Sequence, residues 1–273
     1  MRLLETEDTT ERLRRPARAT QHLAQADALR ALAILFVVIN HVALLGDLHL
    51  FGRVTNLAFL GRWGVNCFFV LSAALLARPY LAAILREQRQ PSAKAFYLKR
   101  FLRIYPLYLV GIFIGAIVEL LLHGAFPFAY VAGHLVFAQG FSLAFQDDPI
   151  NIPLWTMTID AEFYLALPLL AAVVGWMLRG ASLSRKISMF VGVLVLVTVV
   201  SIAYRYLAFA LFPKALESFS WLAIVVRNAV GMASAFAFGT LLALMAELGM
   251  RPRLRFGVLA SVAGFSPSSA SSR

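Results

Sequence analysis

Seven long apolar segments constrain this chain more than any other feature. They cover roughly residues 27–46, 63–85, 101–122, 126–145, 155–178, 187–212 and 221–248. A helix needs about 20 mostly apolar residues to cross the hydrocarbon core of a bilayer. The chain is 60% hydrophobic and only 14% charged, which lies well outside the usual composition of a soluble domain. The sequence therefore predicts an all-α fold, a polytopic transmembrane helical bundle.

The distribution of charged residues indicates what the protein contacts and where its membrane domain begins and ends. The formal net charge is +11, but the basic residues stand in short clusters between apolar segments. Such clusters are typical of cytoplasmic membrane loops, so we expect the lipid bilayer as partner and no nucleic acid. Residues 1–25 are polar and mixed in charge, which predicts a disordered cytoplasmic tail and no signal peptide. Residues 26–250 form the predicted membrane domain, and 251–273 a basic, Ser-rich cytoplasmic tail.

The basic clusters also predict the topology. The densest cluster, within 86–103, should be cytoplasmic, and so should the amino terminus. If all seven segments crossed, the acidic loop with Asp147 and Asp148 would fall inside and the basic cluster at 179–186 outside. Both placements violate the positive-inside rule. We therefore predict about six crossings, a re-entrant or partly inserted segment at 126–145, and both termini in the cytoplasm.

A histidine inside the first apolar segment is the first candidate for chemistry. His41 follows Arg30 by eleven positions, which is about three helical turns and ~16 Å, so the two side chains share a face. Arg30 would lie near a water boundary and His41 roughly in mid-membrane. Because an ionisable group at that depth is costly, it marks a functional site by default. An apolar surround would favour the neutral, basic form of the imidazole.

Two arginines at the start of the third segment form a second candidate site. Arg100 and Arg103 are three positions apart and therefore neighbours on one helical face. Two guanidinium groups at this spacing suit the phosphates of a nucleotide-like ligand. The alternative is a cluster that fixes topology and contacts lipid headgroups.

Two carboxylates at the start of the fifth segment form a third candidate. Asp160 and Tyr164 share a helical face, whereas Asp160 and Glu162 are ~200° apart and cannot both face one cavity. One alternative is a pair of interfacial acidic residues at a helix start. The other is that Asp160 or Glu162 lines a polar cavity and partners a base such as His41. No metal-binding pattern occurs in the sequence, so we expect no metal.

Four stretches, taken in order, resemble the acyltransferase 3 family of integral membrane O-acyltransferases. The matching residues are Arg30 and His41, then Phe68 to Ser72, then Arg100, Arg103, Ile104, Tyr105 and Pro106, and finally Pro153, Trp155, Phe163 and Tyr164. The chain departs from the family pattern at Ala73 and Ala74, which replace Gly-Phe. It departs again at Asp160, which stands where the family has Glu, with Glu162 as a possible substitute.

The resemblance implies an enzyme of the bacterial cytoplasmic membrane. It would transfer an acyl group, most often acetyl, from acyl-CoA to a hydroxyl of a cell-envelope carbohydrate or lipid-linked acceptor. In that interpretation His41 is the catalytic base, Arg30 supports it, and Arg100 and Arg103 hold the phosphates of acyl-CoA.

Two alternatives to this interpretation stay open. The first is a proton-coupled transporter in which His41, Asp160 and Glu162 form a relay. The second is a truncated, non-catalytic remnant, because the family usually has more transmembrane helices than this chain has apolar segments.

Overall fold

The chain folds into helices joined by turns. A computed structural model of the chain describes residues 28–39, 54–138, 150, 154–211 and 228–250, with side chains from 63 onwards in the second range. Within these ranges there is no strand. The helices are α1 Ala28–Ile39, α2 Val54–Leu85, α3 Ala93–His123, α4 Phe128–Leu135, α5 Trp155–Met177, α6 Leu183–Leu211 and α7 Ala229–Glu247. The predicted all-α bundle is confirmed.

Five helices are long and apolar enough to cross a membrane. They are α2 from Trp63 onwards, α3, α5, α6 and α7. Large apolar side chains on their outer faces are exposed, as expected of surfaces that contact lipid. Helix α1 is described over twelve residues, and the rest of its predicted crossing lies outside the described residues. The chain is therefore a multi-pass membrane protein.

Helix α4 corresponds to the segment for which we predicted no crossing. It has eight residues, or ~12 Å, and cannot span a hydrocarbon core of about 30 Å. It packs against α3, where the Tyr108 hydroxyl donates to the His134 carbonyl oxygen at 2.9 Å. The later part of the predicted re-entrant segment, 139–145, lies outside the described residues, as do the predicted tails at 1–25 and 251–273.

Helix α3 begins earlier than its hydropathy predicts. Ser92 is its N-cap, and the Ser92 hydroxyl accepts a hydrogen bond from the Ala95 amide at 3.4 Å. This cap satisfies one of the amides left unpaired at a helix start, so the helix begins before the apolar run. Arg100 and Arg103 therefore lie on the second and third turns of α3, and only the stretch before Ser92 is a loop.

Helices α2 and α7 form the centre of the bundle. A Cβ placed on Gly239 of α7 would lie 2.2 Å from the carbonyl oxygen of Val70 in α2, so the two backbones touch at this glycine. Beside it, Phe69 packs on Phe236 with ring centroids 4.9 Å apart. Phe163 of α5 stacks on the same Phe236 ring at 4.2 Å. Small residues at the crossing and aromatic rings beside it fix α5 against the central pair.

Candidate active site

Charged side chains from three helices gather in one cluster. Arg30 of α1 lies within electrostatic range of Asp160 of α5. Arg100 of α3 lies within range of Arg30, Arg103 and Tyr164. Tyr164 in turn lies within range of Asp160 and all three arginines. These five residues are called the arginine cluster below, and they include four of the six site residues predicted from the sequence.

Asp160 is the buried carboxylate of the cluster. The residue is only 2% exposed. Its Oδ1 atom is buried and has no hydrogen-bond partner among the described residues. A buried carboxylate oxygen without a donor costs free energy, which a protein retains mainly at functional sites. Glu162 Oε2 is likewise buried without a partner among the described residues, so what sets Asp160 apart is its deeper burial and the neighbouring charge of Arg30.

The cluster carries more positive than negative charge. The cluster holds three guanidinium groups, from Arg30, Arg100 and Arg103, and one carboxylate, that of Asp160, which lies beside Arg30. The Nε atom of Arg100 is buried and has no hydrogen-bond partner in the part of the chain that the structure describes. Because unpaired buried charge is costly, this excess favours an anionic ligand.

Aromatic packing positions Arg100. Its guanidinium carbon lies 5.7 Å from the ring centroid of Phe96, within the range of a cation–π contact. The Phe96 ring makes edge contacts with Tyr80 of α2 at 5.8 Å and with Tyr164 of α5 at 6.4 Å. The next residue of α3 makes a further contact with α5, because the Tyr97 hydroxyl donates to the Leu165 carbonyl oxygen at 3.0 Å. These contacts hold the first turns of α3 alongside α5.

Glu162 lies apart from the cluster, as its spacing from Asp160 predicts. Its carboxylate accepts a hydrogen bond from the backbone of Ala229, at the start of α7. It also lines an apolar cavity of about 380 Å³ between α2, α5, α6 and α7. The structure thus places Glu162 at a helix N-terminus, where a carboxylate interacts favourably with the free amides and the helix dipole.

His41 lies outside the described residues, so its role as a mid-membrane base partnered by Asp160 or Glu162 stays a prediction. Among the described residues, the charged side chain that acts on Asp160 is Arg30. The sequence did not predict this pairing. The available signal was that both residues stand inside or beside apolar segments, where charged groups usually pair. Among the described residues, no group of three His, Cys, Asp or Glu side chains could hold a metal ion.

A bundle of long apolar helices with a net positive cluster around one buried carboxylate defines a multi-pass membrane protein with a polar site. The family model described as "Acyltransferase domain", acyltransferase 3, matches residues 23–267. The chain therefore belongs to the acyltransferase 3 family.

Two known proteins are similar to part of the chain. Nodulation protein 10 of Rhizobium leguminosarum bv. viciae is 28% identical over 128 residues, which cover 40% of this chain and 33% of the relative. Acyltransferase MdmB of Streptomyces mycarofaciens is 28% identical over 160 residues, which cover 54% of this chain and 38% of the relative. The matches thus span little more than a third of either relative's length. No solved structure matches the chain.

Proposed function

We propose that the chain transfers an acyl group, most often acetyl, from acyl-CoA to a hydroxyl of a cell-envelope carbohydrate or a lipid-linked acceptor. The enzyme would act in the bacterial cytoplasmic membrane with both termini in the cytoplasm. The observation that carries the proposal is the gathering of Arg30, Arg100 and Arg103 around Tyr164, with Arg30 beside the buried carboxylate of Asp160. Family membership favours group transfer over the alternative of proton-coupled transport.

The donor phosphates would bind Arg100 and Arg103. Arg100 follows the first residue of α3, Ala93, by seven positions, or ~10 Å along the helix. By the positive-inside rule, this end of α3 faces the cytosol, where acyl-CoA is found. Guanidinium groups form paired, charge-assisted hydrogen bonds with phosphate oxygens, and the excess positive charge of the cluster supplies the attraction.

The transfer itself needs a base for the hydroxyl of the acceptor and residues that hold this base and its neighbours in place. His41 would take the proton from the acceptor hydroxyl as its oxygen attacks the thioester carbonyl. The new C–O bond forms, the C–S bond breaks, and the proton passes from the imidazole to the departing thiolate of CoA. Arg30 would support His41, as the resemblance implies, and Asp160 would hold the Arg30 guanidinium in place.

The proposal is tested with radiolabelled acetyl-CoA supplied to membranes that contain the chain. We expect label in envelope carbohydrate or lipid-linked material for the parent and none for His41→Ala. Arg103→Ala should raise the KM for acetyl-CoA. His123→Ala is the matched control, because His123 lies at the end of α3, pairs with Glu119 at 3.0 Å, and stands outside the cluster. Transfer that persists without His41 would refute its catalytic role.

A further inference from the structure

A polar cavity lies at one end of the bundle, away from the arginine cluster. It has a volume of about 660 Å³ and lies between the α2–α3 turn and the α5–α6 turn. This volume falls within the usual range of small-molecule sites. Its wall combines two arginines, two amide side chains and one indole, namely Arg89, Arg179, Gln88, Gln90 and Trp176. Neither of its arginines is paired with a carboxylate among the described residues.

The cavity carries net positive charge although a carboxylate also lines it. That carboxylate belongs to Glu87, whose Oε1 accepts a hydrogen bond from the buried ammonium of Lys186 at 2.7 Å. Because Lys186 neutralises Glu87, the charges of Arg89 and Arg179 stay available to a ligand. An anion with an attached planar group would fit this wall, since the indole of Trp176 lines the cavity beside the two arginines.

The wall of the cavity is held in place by a specific contact. The Gln90 amide nitrogen donates to the carbonyl oxygen of Ala171 at 2.8 Å. The same nitrogen lies over Gly175, where an added Cβ would come within 2.2 Å of it. Gln90 therefore fits against α5 only because position 175 has no side chain, and this fit closes one side of the cavity.

The cavity and the arginine cluster lie along one seam between α3 and α5. The seam is marked by the contact of Gln90 with Ala171 and by that of Tyr97 with Leu165. From the cavity at Gly175 to Asp160 is fifteen residues, or ~22 Å along α5. Arg100 and Arg103 of α3 belong to the same cluster as Asp160. The seam thus has the charged cavity at one end and the arginine cluster at the other.

We propose that this cavity binds the adenosine 3′-phosphate end of acyl-CoA, an inference that rests on the proposed function. The donor would extend along the seam from the cavity to the arginine cluster. The 3′-phosphate would contact Arg89 and Arg179, and the adenine ring would stack on Trp176. The diphosphate then reaches Arg100 and Arg103, and the pantetheine arm carries the thioester towards Asp160.

A kinetic test compares a donor that has the nucleotide with one that lacks it. For Arg89→Gln and Arg179→Gln we expect the KM for acetyl-CoA to rise about tenfold each, with kcat unchanged. Acetyl-pantetheine should be used equally well by the parent and by both variants. Arg185→Gln is the matched control, because Arg185 is an exposed arginine of the first turn of α6 that does not line the cavity. Equal increases in KM with both donors would overturn the proposal.

A binding test is independent of acyl transfer. The full chain, reconstituted in lipid nanodiscs, is dialysed against radiolabelled adenosine 3′,5′-bisphosphate. We expect the parent and Arg185→Gln to bind it, and the double variant Arg89→Gln, Arg179→Gln to lose at least about tenfold in affinity. Trp176→Phe should retain more affinity than Trp176→Ala, because a phenyl ring can still stack.

The outcomes of the binding test separate the two proposals. Binding that is lost in the double variant supports the nucleotide site even if the chain transfers no acyl group, in which case only the proposed function fails. Three results would overturn the nucleotide site: no binding by the parent, equal binding by the double variant, or equal competition by inorganic phosphate. The last result would show an anion site that ignores the nucleoside.

Discussion

Gly239→Ala tests the packing that places α5 and its carboxylate. The new Cβ would lie 2.2 Å from the Val70 carbonyl oxygen and 2.7 Å from the Ala73 Cβ. Side-chain Cβ atoms are essentially never found closer than 3.0 Å to such neighbours, so α2 and α7 must separate by almost 1 Å. The neighbour is backbone and cannot rotate away, so the cost should reach the upper end for overpacking, ~3 kcal/mol.

The intrinsic helix propensity of alanine offsets part of this cost. Alanine is favoured over glycine inside a helix by about 1 kcal/mol, which leaves a net loss of roughly 2 kcal/mol in the free energy of unfolding. Gly192→Ala is the matched control. Gly192 lies on the exposed face of α6, where an added Cβ meets nothing within 4 Å. It should keep or slightly raise the stability of the parent.

The assay is equilibrium unfolding in mixed detergent micelles, followed by the loss of helical circular dichroism. The difference between the two alanine variants isolates the α2–α7 contact, because both exchange the same residue types in a helix. If Gly239→Ala were as stable as Gly192→Ala, the close approach of α2 and α7 would be wrong, and with it the placement of Phe163 and α5 against them.

Three further predictions address topology, charge and a buried hydrogen bond. A reporter fused after Asp148 should read out on the outer side of the membrane, and a cytoplasmic signal would contradict the re-entrant segment. The hydrogen bond from Lys186 lowers the pKa of the Glu87 carboxyl below its ordinary value of 4.5. Its stabilisation is therefore present above that value and lost as the pH falls through the folded-state pKa. Glu87→Gln should remove this part of the acid dependence of the thermal unfolding midpoint, and an unchanged pH profile would refute the ion pair. Tyr108→Phe, which removes the donor to the His134 carbonyl, should lower the free energy of unfolding by about 1 kcal/mol, whereas no loss would show that this bond does not hold α4.

Hydropathy predicted the crossings better than it predicted their ends. A run of about 20 apolar residues has few uses other than a membrane helix, which is why α5, predicted at 155–178, is found at Trp155–Met177. The start of α3 was missed because the Ser92 cap and the basic turns after it carry little hydropathy. Capping depends on local hydrogen bonds, whereas the apolar runs report only burial in lipid.

The site was predictable within a helix but not between helices. Helical spacing put Asp160 and Tyr164 on one face and Glu162 on another, and the structure agrees. Spacing could not show that Arg30 faces Asp160, because partner choice depends on how α1 packs beside α5. The bond from Ala229 to Glu162 was equally out of reach, since the segment of α7 was predicted to begin at 221.

The proposed function gives Asp160 a role in the acyl-transfer site and leaves Glu162 outside it. The most direct measurement is the rate of transfer from radiolabelled acetyl-CoA by Asp160→Asn and Glu162→Gln, at equal amounts of protein in the membrane. Each change removes one carboxylate charge from α5 and keeps the size and shape of the side chain. We predict that Asp160→Asn loses about a hundredfold, because Arg30 is no longer held, and that Glu162→Gln stays near the parent rate. Full transfer by Asp160→Asn, or loss confined to Glu162→Gln, would contradict the account.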